Sequence, residues 1–247
     1  MLTVTIVTIF FILYYLYLWK PRPINDSLIA NPVYLGHRGA KHRAPENTMA
    51  AFLEVKKAGL HGTELDVVKT KDGHLVCSHN FDLEMETDGN GYIYNILYKD
   101  LLSVNAGINF QSPENEQIPL LQDILALFPE PYLINIEIKT RTFFDISTAF
   151  QVARLVRRRG LHQRVIVSSF NPLILPGIKL IDRQIRTGFI IEPKTQGLIR
   201  FVNLIHPDYL HPEATLVTDD LLRYVRQKGM ALNVWTVNNK PAIEWLV

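Results

Sequence analysis

Thr63-Glu64-Leu65-Asp66-Val67-Val68-Lys69-Thr70-Lys71-Asp72-Gly73-His74-Leu75-Val76-Cys77-Ser78-His79 carries both a structural and a chemical pattern. Leu65, Val67 and Val68 predict a strand over Thr63–Lys69. Lys71-Asp72-Gly73 is a tight-turn signal, and Leu75–Ser78 reads as a second strand. Side chains alternate along a strand, so Glu64 and Asp66 share one face while Leu65 takes the other. Two carboxylates on one face repel unless a cation or a proton lies between them. If the turn makes a hairpin, His79 returns to roughly the level of Glu64.

Outward from this stretch, strand-like and helical runs alternate. Val33–Gly36 is a short apolar strand closing at His37, and Thr48–Ala58 is helical in pattern, with Gly59 as its stop. Leu120–Phe128 predicts a short helix, Tyr132–Ile138 a strand, and Phe143–Arg159 a helix stopped by Gly160. Arg164–Phe170, Arg186–Ile191 and Asp208–His211 read as strands, Thr218–Lys228 as a helix before Gly229, and Ala231–Val237 as the last strand. Such alternation implies parallel strands covered by helices. More than six such strands without a Gly-rich dinucleotide loop favour an α/β barrel of the TIM (β/α)8 type over a doubly wound sheet.

The 247 residues carry a net charge of +2, too weak a bias to argue for nucleic acid. Cys77 is the only cysteine, which excludes a disulfide framework, and its apolar setting fits a small core residue. Arg154, Arg157, Arg158 and Arg159 cluster near a predicted helix C-terminus, where the helix dipole favours them; a phospholipid contact is the alternative.

Leu2 to Trp19 contains no charge and is followed by Lys20-Pro21-Arg22-Pro23. As a helix rising ~1.5 Å per residue it spans about 27 Å, close to the ~30 Å hydrocarbon core. Tyr14, Tyr15, Tyr17 and Trp19 crowd the end where an aromatic belt would lie. The rival reading is a signal peptide, but Met1-Leu2-Thr3 lacks a basic side chain and no A-x-A cleavage pattern follows. The expectation is a transmembrane anchor over residues 1–19, a linker over 20–32, and a barrel domain over 33–247. Lys20 and Arg22 favour a cytoplasmic catalytic domain by the positive-inside rule.

Glu137 stands in the apolar run Ile136-Glu137-Ile138-Lys139, where a charge is rarely buried unless paired or bound to metal. Taken singly, Glu64, Asp66 and Glu137 read as ion-pair partners and His37 as a structural histidine. Taken together, three carboxylates, two histidines, Arg38 and Lys139 fall at strand ends of one predicted barrel, where such folds build active sites. Carboxylates without Cys suit a hard cation such as Mg²⁺ or Ca²⁺, and Arg with Lys suits a phosphate-bearing substrate.

His37-Arg38-Gly39, Pro45-Glu46-Asn47-Thr48, Glu64-Leu65-Asp66-Val67, Thr70-Lys71-Asp72-Gly73 and His79 follow one another in a particular order. So do Thr87-Asp88-Gly89-Asn90-Gly91, Ile118-Pro119-Leu120, Glu137-Ile138-Lys139, Ser169-Phe170 and Val234-Trp235-Thr236-Val237-Asn238. In order and spacing this set resembles the glycerophosphodiester phosphodiesterase family. The resemblance implies a barrel of the phospholipase C-like phosphodiesterase kind, with Glu64, Asp66 and Glu137 on a divalent metal and His37 and His79 as the acid–base pair. It further implies Arg38 and Lys139 on the phosphate, Glu46 and Asn47 in support, and hydrolysis of glycerophosphodiesters to glycerol 3-phosphate and an alcohol. Some members act on lysophospholipids. Trp235 fits the substrate entrance or rim packing equally well.

Two departures stand out. The family usually has His-Asp where this chain has His79-Asn80, and an amide would orient His79 less well. The chain also stops at Val247, before the family's closing strand, so the expected barrel is C-terminally incomplete and lacks its eighth strand. The competing readings are a lysophospholipase D, a phospholipase C on inositol lipids, and a catalytically inactive membrane-bound binding module.

Overall fold

The computed structural model describes residues 2–17, 19–22, 32–110 and 115–246. Most of the expected linker, residues 23–31, lies outside the described residues, as do the side chains of Tyr14 and Tyr17. Seven parallel strands form the frame: β1 Leu35–Gly36, β2 Gly62–Lys69, β4 Leu133–Ile138, β5 Val165–Ser169, β6 Arg186–Ile191, β7 Tyr209–Pro212 and β8 Ala231–Leu232. The eighth, β3 Leu75–Cys77, runs antiparallel to β2 and hangs off the main path β1-β2-β4-β5-β6-β7-β8. Among the described residues no pairing joins β8 to β1, so the TIM-like sheet is an open half-barrel with two edges.

The hairpin at 70–73 forms as the turn chemistry predicts. The Thr70 hydroxyl donates to Asp72 Oδ1 at 2.7 Å, and Gly73 takes the left-handed φ of 88° that a side chain would resist. β2 is buried on both faces rather than alternating in and out, because helices cover one side and the barrel interior the other. Leu65, Val67, Ile134, Ile136, Val165 and Val167 join one apolar core with residues of α2 Met49–Lys57, α5 Ser147–Arg158 and α6 Ile174–Ile181. Burying each such side chain stabilises the fold by roughly 1.5–3 kcal/mol. Leu133, Ile166 and Tyr209 pack together with Leu35 and Ala231 in a separate apolar cluster. Each of the three is the first or second residue of its strand, which places this plug at the strands' N-terminal end.

Two expected elements shrink. The helix foreseen from Phe143 begins at Ser147, because Arg141 pairs with Asp145 at 3.0 Å and the Ser147 hydroxyl donates to Asp145 Oδ1 at 2.9 Å, organising a loop ahead of it. The last strand ends at Leu232 instead of Val237, although Asn233 and Trp235 still donate to the carbonyls of Leu210 and Pro212. In the arginine cluster, Arg157 donates to Ile181 O and Arg159 to Gln122 O, so both tie neighbouring segments together.

The transmembrane anchor is overturned. α1, Leu2–Tyr17, has 16 residues, and among the described residues no helix is long and apolar enough to cross a membrane. At ~1.5 Å per residue it spans about 24 Å, short of the ~30 Å core. Its C-terminal end meets the body of the protein: the Tyr15 hydroxyl donates to Leu204 O in α7, Val202–Ile205, and Tyr15 and Trp19 lie 4.3 and 4.9 Å from the His206 ring. Arg22, expected on a membrane flank, instead donates through its backbone N–H to Asp208 at 2.8 Å and through its guanidinium to Arg183 O. The membrane partner and the single-pass membrane location with a cytoplasmic domain fall with the anchor.

Candidate active site

The strand ends opposite the apolar plug gather the charged residues. Asp66 on β2 and Glu137 on β4 are register partners, as are Glu64 and Asn135 two positions lower. Carboxylate oxygens of Glu64, Asp66 and Glu137 all lie within 4.8 Å of one another. Asp66 is 1% exposed and Glu137 9%, so this charge is held out of water.

Fixed partners hold each member. Asn47, at a left-handed φ of 56°, donates from its amide to Asp66 Oδ2 at 3.0 Å and accepts from the Asp66 N–H at 3.2 Å, clamping side chain and backbone together. Arg38, also left-handed with φ 55°, donates its backbone N–H to Glu64 Oε2 at 2.8 Å. Its guanidinium donates to Glu46 Oε1 at 2.6 Å and lies 3.4 Å from Asp66. Left-handed non-glycine residues are costly and cluster where function demands them. Lys139 follows β4 directly and lies 2.6 Å from Glu137 and 3.0 Å from Asp66.

The histidines flank this group. His37 follows β1; its Nε2 lies 3.9 Å from Glu64, and its Nδ1 lies 3.2 Å from the Thr236 hydroxyl. His79 follows β3, which pairs Cys77 with Val67 while Ser78 donates to Asp66 O; His79 therefore sits slightly above the Glu64 level expected from the hairpin. Trp235 donates its indole N–H to His211 O at 2.9 Å and meets Phe170 edge-on at 5.7 Å. It is thus a half-buried part of the rim beside Thr236 and His37.

The electrostatics follow from burial. Burial raises the Glu64 carboxyl well above its ordinary range, and the charges of Asp66 and Glu137 raise it further. Glu137 is pushed to about 7 by burial and by Asp66, against the pull of Lys139. Burial also works against Asp66, but Lys139 and Arg38 outweigh it and hold Asp66 below the usual value. His37 is lowered to about 3 by burial, with Arg38 and Lys41 adding to the effect, so its ring is neutral. His79 is lowered by burial and then by Lys139.

Every expected site residue is thus in or beside one group. Sequence reasoning missed Thr236 as the partner of His37, although it lies inside the Val-Trp-Thr-Val-Asn run, and missed Glu86, which no pattern marked. It also missed the buried His211, for which Gly188 makes room: a Cβ at Gly188 would stand 2.5 Å from the His211 ring.

Residues 37–247 match the model of the glycerophosphoryl diester phosphodiesterase family. The chain belongs to that family. A glycerophosphodiester phosphodiesterase of Caldanaerobacter subterraneus subsp. tengcongensis is 30% identical over 220 residues, covering 86% of this chain and 88% of that protein. One from Bacillus altitudinis is 35% identical over 213 residues, covering 84% and 87%. Among solved structures, the glycerophosphodiester phosphodiesterase of Thermotoga maritima superposes with a TM-score of 0.69 at 28% identity, covering 86% of this chain and 88% of that one. An Oleispira antarctica phosphodiesterase in complex with the product sn-glycerol-3-phosphate shares the fold, with a TM-score of 0.76 at 23% identity and coverage of 87% and 88%. This family member is an enzyme, a glycerophosphodiester phosphodiesterase of the phosphoric diester hydrolase class.

Proposed function

We propose that the enzyme cleaves glycerophosphodiesters to glycerol 3-phosphate and an alcohol with a divalent metal, Mg²⁺ or Ca²⁺, and with His37 and His79 as the acid–base pair. The observation that carries this reading is the convergence of Glu64, Asp66 and Glu137 between the two histidines, with Arg38 and Lys139 alongside. The donor set fits a hard cation: all three ligands are carboxylates, and the buried Glu64 Oε1 has no hydrogen-bond partner. Three carboxylates against the two cations Arg38 and Lys139 leave a deficit of positive charge that a divalent ion would fill. When bound, the ion would act as a Lewis acid on the phosphoryl oxygens.

The side chains supply the rest. Arg38 and Lys139, already turned into the group, neutralise the phosphate's non-bridging oxygens as charge builds during attack. His37, held neutral, accepts the proton of the attacking hydroxyl, and His79 donates one to the departing alkoxide. The Asn47 clamp keeps Asp66 in place, since an outer-shell amide orients a ligand it contacts twice.

One observation favours lysophospholipids among the substrates. Phe143 and Phe144, 51% and 82% exposed, lie four and five residues beyond Lys139 and give the rim an apolar surface suited to an acyl chain. The test is hydrolysis of glycerophosphocholine and lysophosphatidylcholine by the full chain, with Mg²⁺, Ca²⁺ or EDTA. Turnover that EDTA removes and His37→Ala abolishes supports the proposal. Turnover indifferent to EDTA refutes the metal, and a folded protein with no turnover favours an inactive binding module.

A further inference from the structure

His79 does not stand alone at the end of its strand. Its Nδ1 lies 3.1 Å from Asn80 Oδ1, and Asn80 Nδ2 donates to Glu86 Oε1 at 3.0 Å. An amide has one accepting end and one donating end, so these two contacts settle its orientation: oxygen to the imidazole, NH₂ to the carboxylate. An amide oxygen can only accept. The contact therefore keeps a proton on Nδ1 in both charge states of the ring, so Nε2 is the atom that carries the proton given to the departing alkoxide and is left bare once it is given.

Glu86 is itself held. Its carboxylate, Glu46 and His79 offer polar atoms within 4.8 Å of one another, and Glu46 is bound by Arg38 at 2.6 Å. Burial and the neighbouring Glu46 raise Glu86 to about 7, with Arg38 opposing and Asp66 adding to the rise. Contacts therefore run from Arg38 through Glu46 and Glu86 to Asn80 and His79.

The geometry points to Glu86 as a positioning residue that acts on His79 through Asn80, holding the ring's orientation and its Nδ1–H tautomer. The acid expected directly beside the second histidine stands one side chain further back. A carboxylate on the far end of the amide polarises it and strengthens its oxygen as an acceptor, offsetting the weakness of an amide at that position. This inference rests on the proposed acid–base role of His79. It adds a residue from outside the matching motifs and gives Asn80 a purpose.

The experiment is a double-mutant cycle on the full chain with glycerophosphocholine, combined with ¹⁵N NMR of the His79 ring. Glu86→Gln should lower kcat about 10-fold, the scale of a lost outer-shell partner, with KM unchanged and a smaller Nδ1–H fraction. Asn80→Asp alone should also impair the enzyme, because it sets a second carboxylate against Glu86. In the Glu86→Gln background the same Asn80→Asp change should restore kcat, since the acid then touches His79 directly. An unchanged kcat and tautomer in Glu86→Gln, or a double variant no better than Glu86→Gln, overturns the inference. So does loss of a second equivalent of Mg²⁺ or Ca²⁺ in Glu86→Gln with the tautomer intact, which makes Glu46, His79 and Glu86 an ion site. His79→Ala separates the two readings: full activity in that variant refutes the acid–base assignment, while the tautomer measurement still decides the relay.

Discussion

The site has two halves built in different ways. Glu64, Asp66 and Glu137 stand on β2 and β4, interior strands that pair over six consecutive register positions. His37 stands beyond the two-residue β1 at one edge and meets Thr236 beyond the two-residue β8 at the other. The concentrated charge is fixed by backbone ladders and by Asn47, whereas the Thr236 side of His37 is held by one hydroxyl. Charge that would repel itself is placed on paired interior strands, and His37, the proposed proton acceptor, is placed at the seam.

The sharpest way to break this contrast is to remove its poles. Asp66→Ala and His37→Ala should each lower turnover on the order of 10³-fold, within the 10²–10⁴ range of lost acid–base groups. Only Asp66→Ala should also abolish divalent-ion binding in titration calorimetry, and equal ion affinity in both variants would merge the halves. Next, Asn47→Ala should cost about 10–100-fold in ion affinity, because it removes both contacts to Asp66 while leaving every ligand present; unchanged affinity would show that the ladder alone suffices.

A pH series probes the stiff half without mutation. Glu64 and Glu137 lie above the ordinary carboxylate range, Glu137 at about 7. A raised carboxyl binds its proton more tightly folded than unfolded. Its stabilisation is therefore full below the unfolded value near 4.5 and lost as pH rises through about 7. Because His37, lowered to about 3, pulls stability the other way as its unfolded ring loses its proton, the carboxyl contribution is read as a difference: the gain in Tm from saturating Ca²⁺ or Mg²⁺ should be larger at about pH 8 than at about pH 6. A gain that is equal at both, or larger at the lower pH, contradicts the assignment. The smallest effect belongs to the seam. Thr236→Val should lower kcat by no more than about 10-fold, the worth of one hydrogen bond of ~1 kcal/mol, with ion affinity untouched.

The stiff half was legible and the seam was not, for a physical reason. Period-two alternation puts Glu64 and Asp66 on one face, and a charge in Ile136-Glu137-Ile138 cannot be idle, so local rules suffice there. Thr236 meets His37 across 199 residues, and no local rule reaches that far. No element is read from the sequence between Phe170 and Arg186, yet α6 forms there, with Pro176 in its first turn, where its missing N–H costs nothing. Leu2–Trp19 misled in the opposite direction: an uncharged run satisfies the composition of a span but not, at 16 helical residues, its length.

The 199-residue separation of His37 and Thr236 also sets an order in time. As the chain leaves the ribosome, Glu64, Asp66 and Glu137 have all been made by residue 137, while Thr236 arrives ninety-nine positions later. Each nascent molecule therefore possesses its three carboxylates long before its first histidine gains that neighbour. Synthesis leaves the proposed site without that contact until Thr236 has been made.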